Sequence, residues 1–195
     1  MLKYLLIVNA YLLGSIPFGL ILTKKISGTD IRFSGSGNIG ATNALRMGGK
    51  KVGLLTLLFD ILKGTFITII AYTLFHSSWL TAMVAIAAVI GHDFPIFLKF
   101  KGGKGVSTSI GVLFVFSCLG TIFSLLIWLG VFFIWGYASL ASLAFASAIP
   151  FLMYVTTRNS QYILASSIMS LLIYWKHRGN IERLIKGTEK KIKDK

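Results

Sequence analysis

Apolar residues fill five stretches of the chain, at about residues 2–22, 52–75, 79–98, 106–157 and 160–175, and the segments between them are polar, basic and rich in glycine. A helix needs roughly 20 predominantly apolar residues to cross the hydrocarbon core of a bilayer. Four of the stretches approach that length, and each predicts one spanning helix. The fifth, 106–157, is too long for one helix. Gly120 and the segment Gly136-Tyr137-Ala138-Ser139-Leu140-Ala141-Ser142 punctuate it into three, the first of them short at about 106–118. The apolar run after Lys3 has no convincing small-residue cleavage site and continues through Pro17 to Leu22, so it reads as a retained first helix and not as a signal peptide.

Composition agrees. In 195 residues, 55% are hydrophobic and mean hydropathy is +0.77, far above a soluble domain, which makes this an all-α integral membrane protein. Twenty Lys and Arg face six Asp and Glu, a net charge of +14. Such an excess in a membrane protein marks cytoplasmic loops and anionic headgroups, and nucleic acid is not the expected partner. Seventeen of the 20 basic residues fall in 23–51, 99–104 and 176–195. Placing all three segments on the cytoplasmic side requires an even number of crossings between residue 104 and the tail. Four crossings match the punctuation and give a bundle of seven transmembrane helices, N-terminus outside and C-terminus cytoplasmic; two crossings give five. The expected organisation is a helical membrane domain over 1–175 and a basic cytoplasmic tail over 176–195, able to lie on the anionic inner leaflet. Cys118 is the single cysteine, which rules out an intramolecular disulfide.

With this topology the polar, glycine-rich segments share the cytoplasmic face. The first, residues 34–46, runs Ser-Gly-Ser-Gly-Asn-Ile-Gly-Ala-Thr-Asn-Ala-Leu-Arg. Glycines let the backbone approach a ligand closely, and Ser, Thr and Asn add short donors, so the expected guest is an anion such as phosphate. Gly35, Gly37 and Gly40 formally match the dinucleotide fingerprint, but no strand-helix-strand unit surrounds them. The second segment, Lys99-Phe100-Lys101-Gly102-Gly103-Lys104-Gly105, combines three cations with three glycines at the start of a helix and reads as an anion clamp centred on Lys104. Gly105 stands where a Walker loop would have Ser or Thr, which disfavours nucleotide binding by that route.

His177 and Asn180, three apart, fall on one face of a helix continuing inward from the last span. A dyad of His177 with Glu182 is disfavoured, because five residues turn a helix through about 500°. Asp60 and Lys63, inside the second span, read as a neutralising structural pair, since an unpaired charge there costs roughly 2.5–3.5 kcal/mol. His92 and Asp93 before Pro95 read as a brace for the Lys104 loop. No metal cluster, cofactor motif or Ser-His-Asp set is present, and almost no carboxylate is left to act as a base. The chemistry must rest on anion binding, hydroxyls and one or two histidines, which suits a substrate that arrives activated and carries its own phosphate.

Several motifs in fixed order together resemble the bacterial acyl-phosphate:glycerol-3-phosphate acyltransferase (PlsY) family: Gly14 to Gly19, Ser34 to Arg46, Asp60 to Gly64, Gly91-His92-Asp93-Phe94-Pro95, Phe100 to Ser107, Tyr137 to Ser142, and His177 to Arg183 with Gly187 and Glu189. The resemblance implies a multi-pass enzyme of the bacterial inner membrane, with its active site facing the cytoplasm and no cofactor. Its implied reaction moves a fatty acyl group from acyl phosphate to the sn-1 hydroxyl of glycerol 3-phosphate, giving 1-acylglycerol 3-phosphate and phosphate for phospholipid synthesis. It also allows functional coupling to an enzyme that produces acyl phosphate. Carried over by position, Ser36, Gly37, Asn38, Gly40, Thr42 and Asn43 would hold the acyl-phosphate head. Arg46, Lys104, Ser142, His177 and Asn180 would hold glycerol 3-phosphate, and Ser36, Arg46, Lys104, His177 and Asn180 form the catalytic set. Gly136 departs from the family, which often has a basic residue there. The rival class is a small transporter for phosphorylated solutes, but no repeat relates the two halves and the anion-binding clusters fall at one face, not the midplane.

Overall fold

The computed structural model describes residues 2–192, and among these every regular element is helical. In chain order these are α1 (Leu2–Gly14), α2 (Phe18–Ser27), α3 (Ala41–Phe75), α4 (Ser78–Asp93), a 3₁₀ turn (Ile96–Leu98), α5 (Val106–Phe116), α6 (Cys118–Trp135), α7 (Ala138–Thr157), α8 (Ser160–Lys176) and α9 (Arg178–Ile185). The helix ends follow local chemistry. Ser77, Ser117 and Asn159 accept backbone N–H groups at the starts of α4, α6 and α8.

The expected first span, 2–22, is two helices broken at Ser15–Pro17 and reaches Ser27. Pro17 lacks an N–H and disfavours a helical residue before it, and α1 ends at Gly14. The second helix starts at Ala41, not near 52. Its polar first segment is joined to the apolar remainder at Gly49, where φ is 80° and the backbone leaves the helix. Among the described residues five runs are long and apolar enough to cross a membrane: Leu2–Ser27, Ala41–Phe75, Ser78–Leu98, Cys118–Trp135 and Ala138–Thr157. The 11 residues of α5 rise about 16 Å and the 17 of α8 about 25 Å, against a hydrocarbon core of about 30 Å.

The chain divides after Val112 into two compact units. In the first, α1 packs on α4 and α3, and α2 on α3. Glycines set how closely these helices approach. A Cβ on Gly14 would overlap the Ala88 carbonyl, and one on Gly91 the Tyr11 carbonyl, so α1 and α4 meet backbone to backbone. Gly64 and Gly111 do the same between α3 and the start of α5, against the carbonyls of Thr108 and Ile61. In the second unit α7 packs on α6 and α8. Pro150 lies inside α7 and cannot bond the Ala146 carbonyl, and Ser170 of α8 donates to that oxygen instead at 2.6 Å. The tail begins at Lys176, the last residue of α8, and includes α9. After α9 it turns at Gly187 and runs back to the start of α7, with the Ile192 N–H donating to the Gly136 carbonyl at 3.4 Å.

Candidate active site

In the first unit the segment before α3 is built around Asn43, which is buried. Its Nδ2 donates to the carbonyls of Ile31 (3.1 Å), Ser34 (3.1 Å) and Asn38 (2.8 Å), and its Oδ1 accepts the Ser36 N–H at 3.0 Å. One side chain thus gathers both halves of the loop. Gly35 and Gly37 have φ of 63° and 70°, and a Cβ on Gly35 would overlap Asn43 Oδ1. The consequence for the sequence expectation is specific: the Asn43 amide is used inside the protein and shapes the loop, whereas Ser36 is exposed and Asn38 and Thr42 are half-buried around it. Asn38 Oδ1 is buried without a hydrogen-bond partner among the described residues, a polar position the loop itself leaves open.

Gly40 ends the loop in an extended conformation, and no side chain caps α3, so the positive end of the helix dipole lies at Ala41 and Thr42. Arg46 follows Asn43 by one turn and is half-buried. On the same loop Asp30 pairs with Arg32 at 2.6 Å. The Arg32 hydrogen bonds hold the Asp30 carboxyl down at about 2, so the pair stays ionised and neutral overall.

The Lys104 loop rests on the end of α4. A Cβ on Gly102 would overlap Pro95 and the His92 carbonyl, and one on Gly103 would overlap the His92 ring. The Gly103 N–H donates to the His92 carbonyl at 3.0 Å, and Gly105, with φ of 76°, leaves room for the Asp93 carboxylate. His92 and Asp93 are the brace that the sequence suggests. Asp60 and Lys63 are the expected structural pair, 2.8 Å apart with both side chains 2% exposed.

In the second unit, α8 stops at Lys176 and α9 starts at Arg178, so His177 and Asn180 do not share one continuous helix. His177 is the hinge residue between them and is buried. Its Nδ1 lies 2.8 Å from the Ile173 carbonyl, which can only accept, so Nδ1 carries a hydrogen and donates it. The Asn180 N–H donates to the His177 carbonyl at 2.8 Å and holds the two together.

Glu189 is the residue that a reading by spacing leaves out of the site. Its Oε1 accepts from Ser139 Oγ (2.7 Å) and Asn180 Nδ2 (2.6 Å), and its Oε2 from Arg183 Nε (2.7 Å). Partial burial raises the Glu189 carboxyl, but those three hydrogen bonds outweigh it and hold the group below the usual carboxylate range. Ser142, one turn on from Ser139, donates to the Ala138 carbonyl and accepts from Trp128 Nε1. Glu182 is exposed and pairs with Lys186 at 2.6 Å, so it is not the acid of a histidine dyad. At Gly136, which lacks the family's basic residue, Lys191 from the tail lies alongside, with its ammonium 5.3 Å from the Tyr137 ring centre.

The family model for glycerol-3-phosphate acyltransferase matches residues 4–187, nearly the whole chain. The chain belongs to the glycerol-3-phosphate acyltransferase family. Relatives of that name include those of Syntrophotalea carbinolica, 44% identical over 97% of each chain, and of Lawsonia intracellularis, 46% identical over 94% of this chain and 92% of the other. Two crystal structures of PlsY (YgiH), an integral membrane glycerol 3-phosphate acyltransferase, share the fold. The glycerol 3-phosphate form has a TM-score of 0.94 at 41% identity, covering 98% of this chain and 96% of that one. The lysophosphatidic acid form has a TM-score of 0.93 at 40% identity, covering 98% and 95%.

Proposed function

We propose that this protein transfers a fatty acyl group from acyl phosphate to the sn-1 hydroxyl of glycerol 3-phosphate, releasing phosphate and forming 1-acylglycerol 3-phosphate for phospholipid synthesis. The observation that carries the reading is the match along nearly the whole chain to acyltransferases of that substrate, one of them solved in glycerol 3-phosphate and lysophosphatidic acid forms. Acyl phosphate as donor is supported by the loop of the first unit, a glycine-rich turn feeding an uncapped helix start.

Ser36, Gly37, Asn38, Gly40 and Thr42 hold the acyl-phosphate head, with Asn43 shaping the loop. Arg46, Lys104, Ser142, His177 and Asn180 hold glycerol 3-phosphate. The sn-1 oxygen attacks the acyl carbonyl carbon and forms the new C–O bond. The bond from that carbon to the phosphate oxygen breaks, and phosphate leaves with the electron pair. Donors aimed at the carbonyl oxygen and leaving group stabilise the charge developing there, an effect of about 3–4 kcal/mol for a single well-placed donor. The hydroxyl proton passes to a substrate phosphate oxygen; Asp30 and Asp60 are held in ion pairs and Glu189 in hydrogen bonds, which makes them poor bases.

The protein crosses the bacterial inner membrane seven times, with α5 and α8 as the two short spans, its N-terminus outside and its active site and C-terminus cytoplasmic. The distribution of basic residues supports this topology.

The deciding assay supplies labelled glycerol 3-phosphate with palmitoyl phosphate or palmitoyl-CoA to purified protein in lipid, with Lys104→Ala alongside. Labelled lysophosphatidate from the acyl phosphate alone, absent in the variant, is the expected result. Labelled glycerol 3-phosphate crossing vesicles without acylation would overturn it in favour of transport.

A further inference from the structure

The Asp60–Lys63 pair is more than a way to place two charges in a membrane helix. Lys63 pairs with Asp60 Oδ1 at 2.8 Å, and its ammonium donates to the Ile16 carbonyl and to His92 Nδ1, each at 3.0 Å. Ile16 lies in the Pro17 break between α1 and α2, so one ammonium ties that break to α3 and α4. Its demands also dictate the state of His92. A hydrogen on Nδ1 would set one N–H against another across 3.0 Å, and Asp60 Oδ1, 3.5 Å from Nδ1, is too distant to compensate. Nδ1 is therefore the acceptor, and the ring hydrogen sits on Nε2.

That Nε2 edge faces the Lys104 loop. A Cβ on Gly103 would overlap Nε2 and crowd Cδ2 and Cε1, while the Gly103 N–H is held by the His92 carbonyl. The loop is gripped by backbone and ring of one residue, immediately before Lys104. His177, the other buried histidine, is held differently, with a hydrogen on Nδ1.

We propose that Lys63 is a positioning residue for the glycine loop that carries Lys104, acting through His92, whose neutral Nε2–H tautomer it fixes. The kinetic part of this proposal rests on the reading of Lys104 as a glycerol 3-phosphate ligand; the tautomer does not.

The test uses full-length protein labelled with ¹⁵N-histidine in micelles. His92 is expected to show a pyridine-type Nδ1 and a pyrrole-type Nε2, and His177 a pyrrole-type Nδ1, with signals assigned by loss in His92→Gln and His177→Gln. Because Lys63→Met alone leaves a buried carboxylate unpaired, it is paired with Asp60→Asn. In that double variant the His92 pattern should become mixed, and the KM for glycerol 3-phosphate should rise about tenfold or more with kcat within about threefold of wild type, the signature of lost substrate binding. His92→Gln offers a carbonyl to Lys63 and an N–H to the loop, and should keep that KM within about threefold of wild type. A hydrogen found on Nδ1 of His92 in the wild type, or an unchanged KM in the folded double variant, would overturn the proposal. If the wild type forms no product, the functional reading fails by itself. The tautomer, together with protection of the Gly103 amide from hydrogen exchange and its loss in the double variant, then decides the proposal.

Discussion

Asn43 and Glu189 show how single side chains in this protein organise the backbone and side chains around them. Asn43 ties three carbonyls and one N–H across the 31–38 loop. Replacing it with alanine removes all of these bonds and takes the donor from the buried Ile31 carbonyl, a loss of about 1–3 kcal/mol for a buried group. The expected outcome for Asn43→Ala is a clear drop in thermal stability and a larger rise in KM for palmitoyl phosphate than for glycerol 3-phosphate, read by a thermal scan and by initial rates.

Glu189 makes a prediction with a defined pH sign. Its carboxyl is held below its unfolded value of about 4.3. A depressed carboxylate contributes stability that is fully present above the unfolded value and is lost as pH falls through the folded one. The difference in melting temperature between wild type and Glu189→Gln should be constant around neutrality and shrink once pH falls below about 4. A difference that persists unchanged in acid would mean that the ionised carboxylate is not what holds the tail.

At the scale of elements, helix contacts depend on where backbone is left exposed. Pro150 removes one hydrogen bond from α7, and Ser170 of α8 replaces it at 2.6 Å. Ser170→Ala should cost about 1–2 kcal/mol, and much less in a Pro150→Ala background where the helix satisfies its own carbonyl. A double-mutant cycle in detergent measures the coupling, and additive losses would disprove the compensation. The α1–α4 crossing depends on size instead. Gly91→Leu would push a side chain into the Tyr11 carbonyl and should prevent α1 from seating, visible as lost folded yield on size-exclusion chromatography.

At the scale of the whole molecule, the proposed topology rests on charge more than on helix length. In a Cys118→Ser background, a cysteine placed at residue 77 should react with a membrane-impermeant maleimide added to intact cells. One at residue 190 should react only after the membrane is opened. Labelling of both from outside would contradict the even number of crossings between residue 104 and the tail.

The sequence by itself determined the class, the basic segments and the type of chemistry. Apolar run length, the excess of Lys and Arg, and the order of glycine-bearing motifs are one-dimensional properties, and α5 through α7 appear close to where the punctuation puts them. Glycines and lysines at 99–105 suggested an anion clamp because backbone freedom and charge are carried by the residues themselves. Pro17 and Gly49 were visible too, but whether a proline or glycine breaks a membrane helix depends on what satisfies the freed backbone, and Lys63 beside Ile16 is known only in the fold. Which polar groups face outward was likewise decided by tertiary structure. Asn43 had the same standing in the sequence as Asn38 and Thr42, and only its four hydrogen bonds assign it to the scaffold. Glu189 looked like one acid in a basic tail until the turn at Gly187 brought it to Ser139 and Asn180. The ring hydrogens of His92 and His177 belong to the same class, because a ring hydrogen is fixed by partners distant in sequence for one and a turn away for the other.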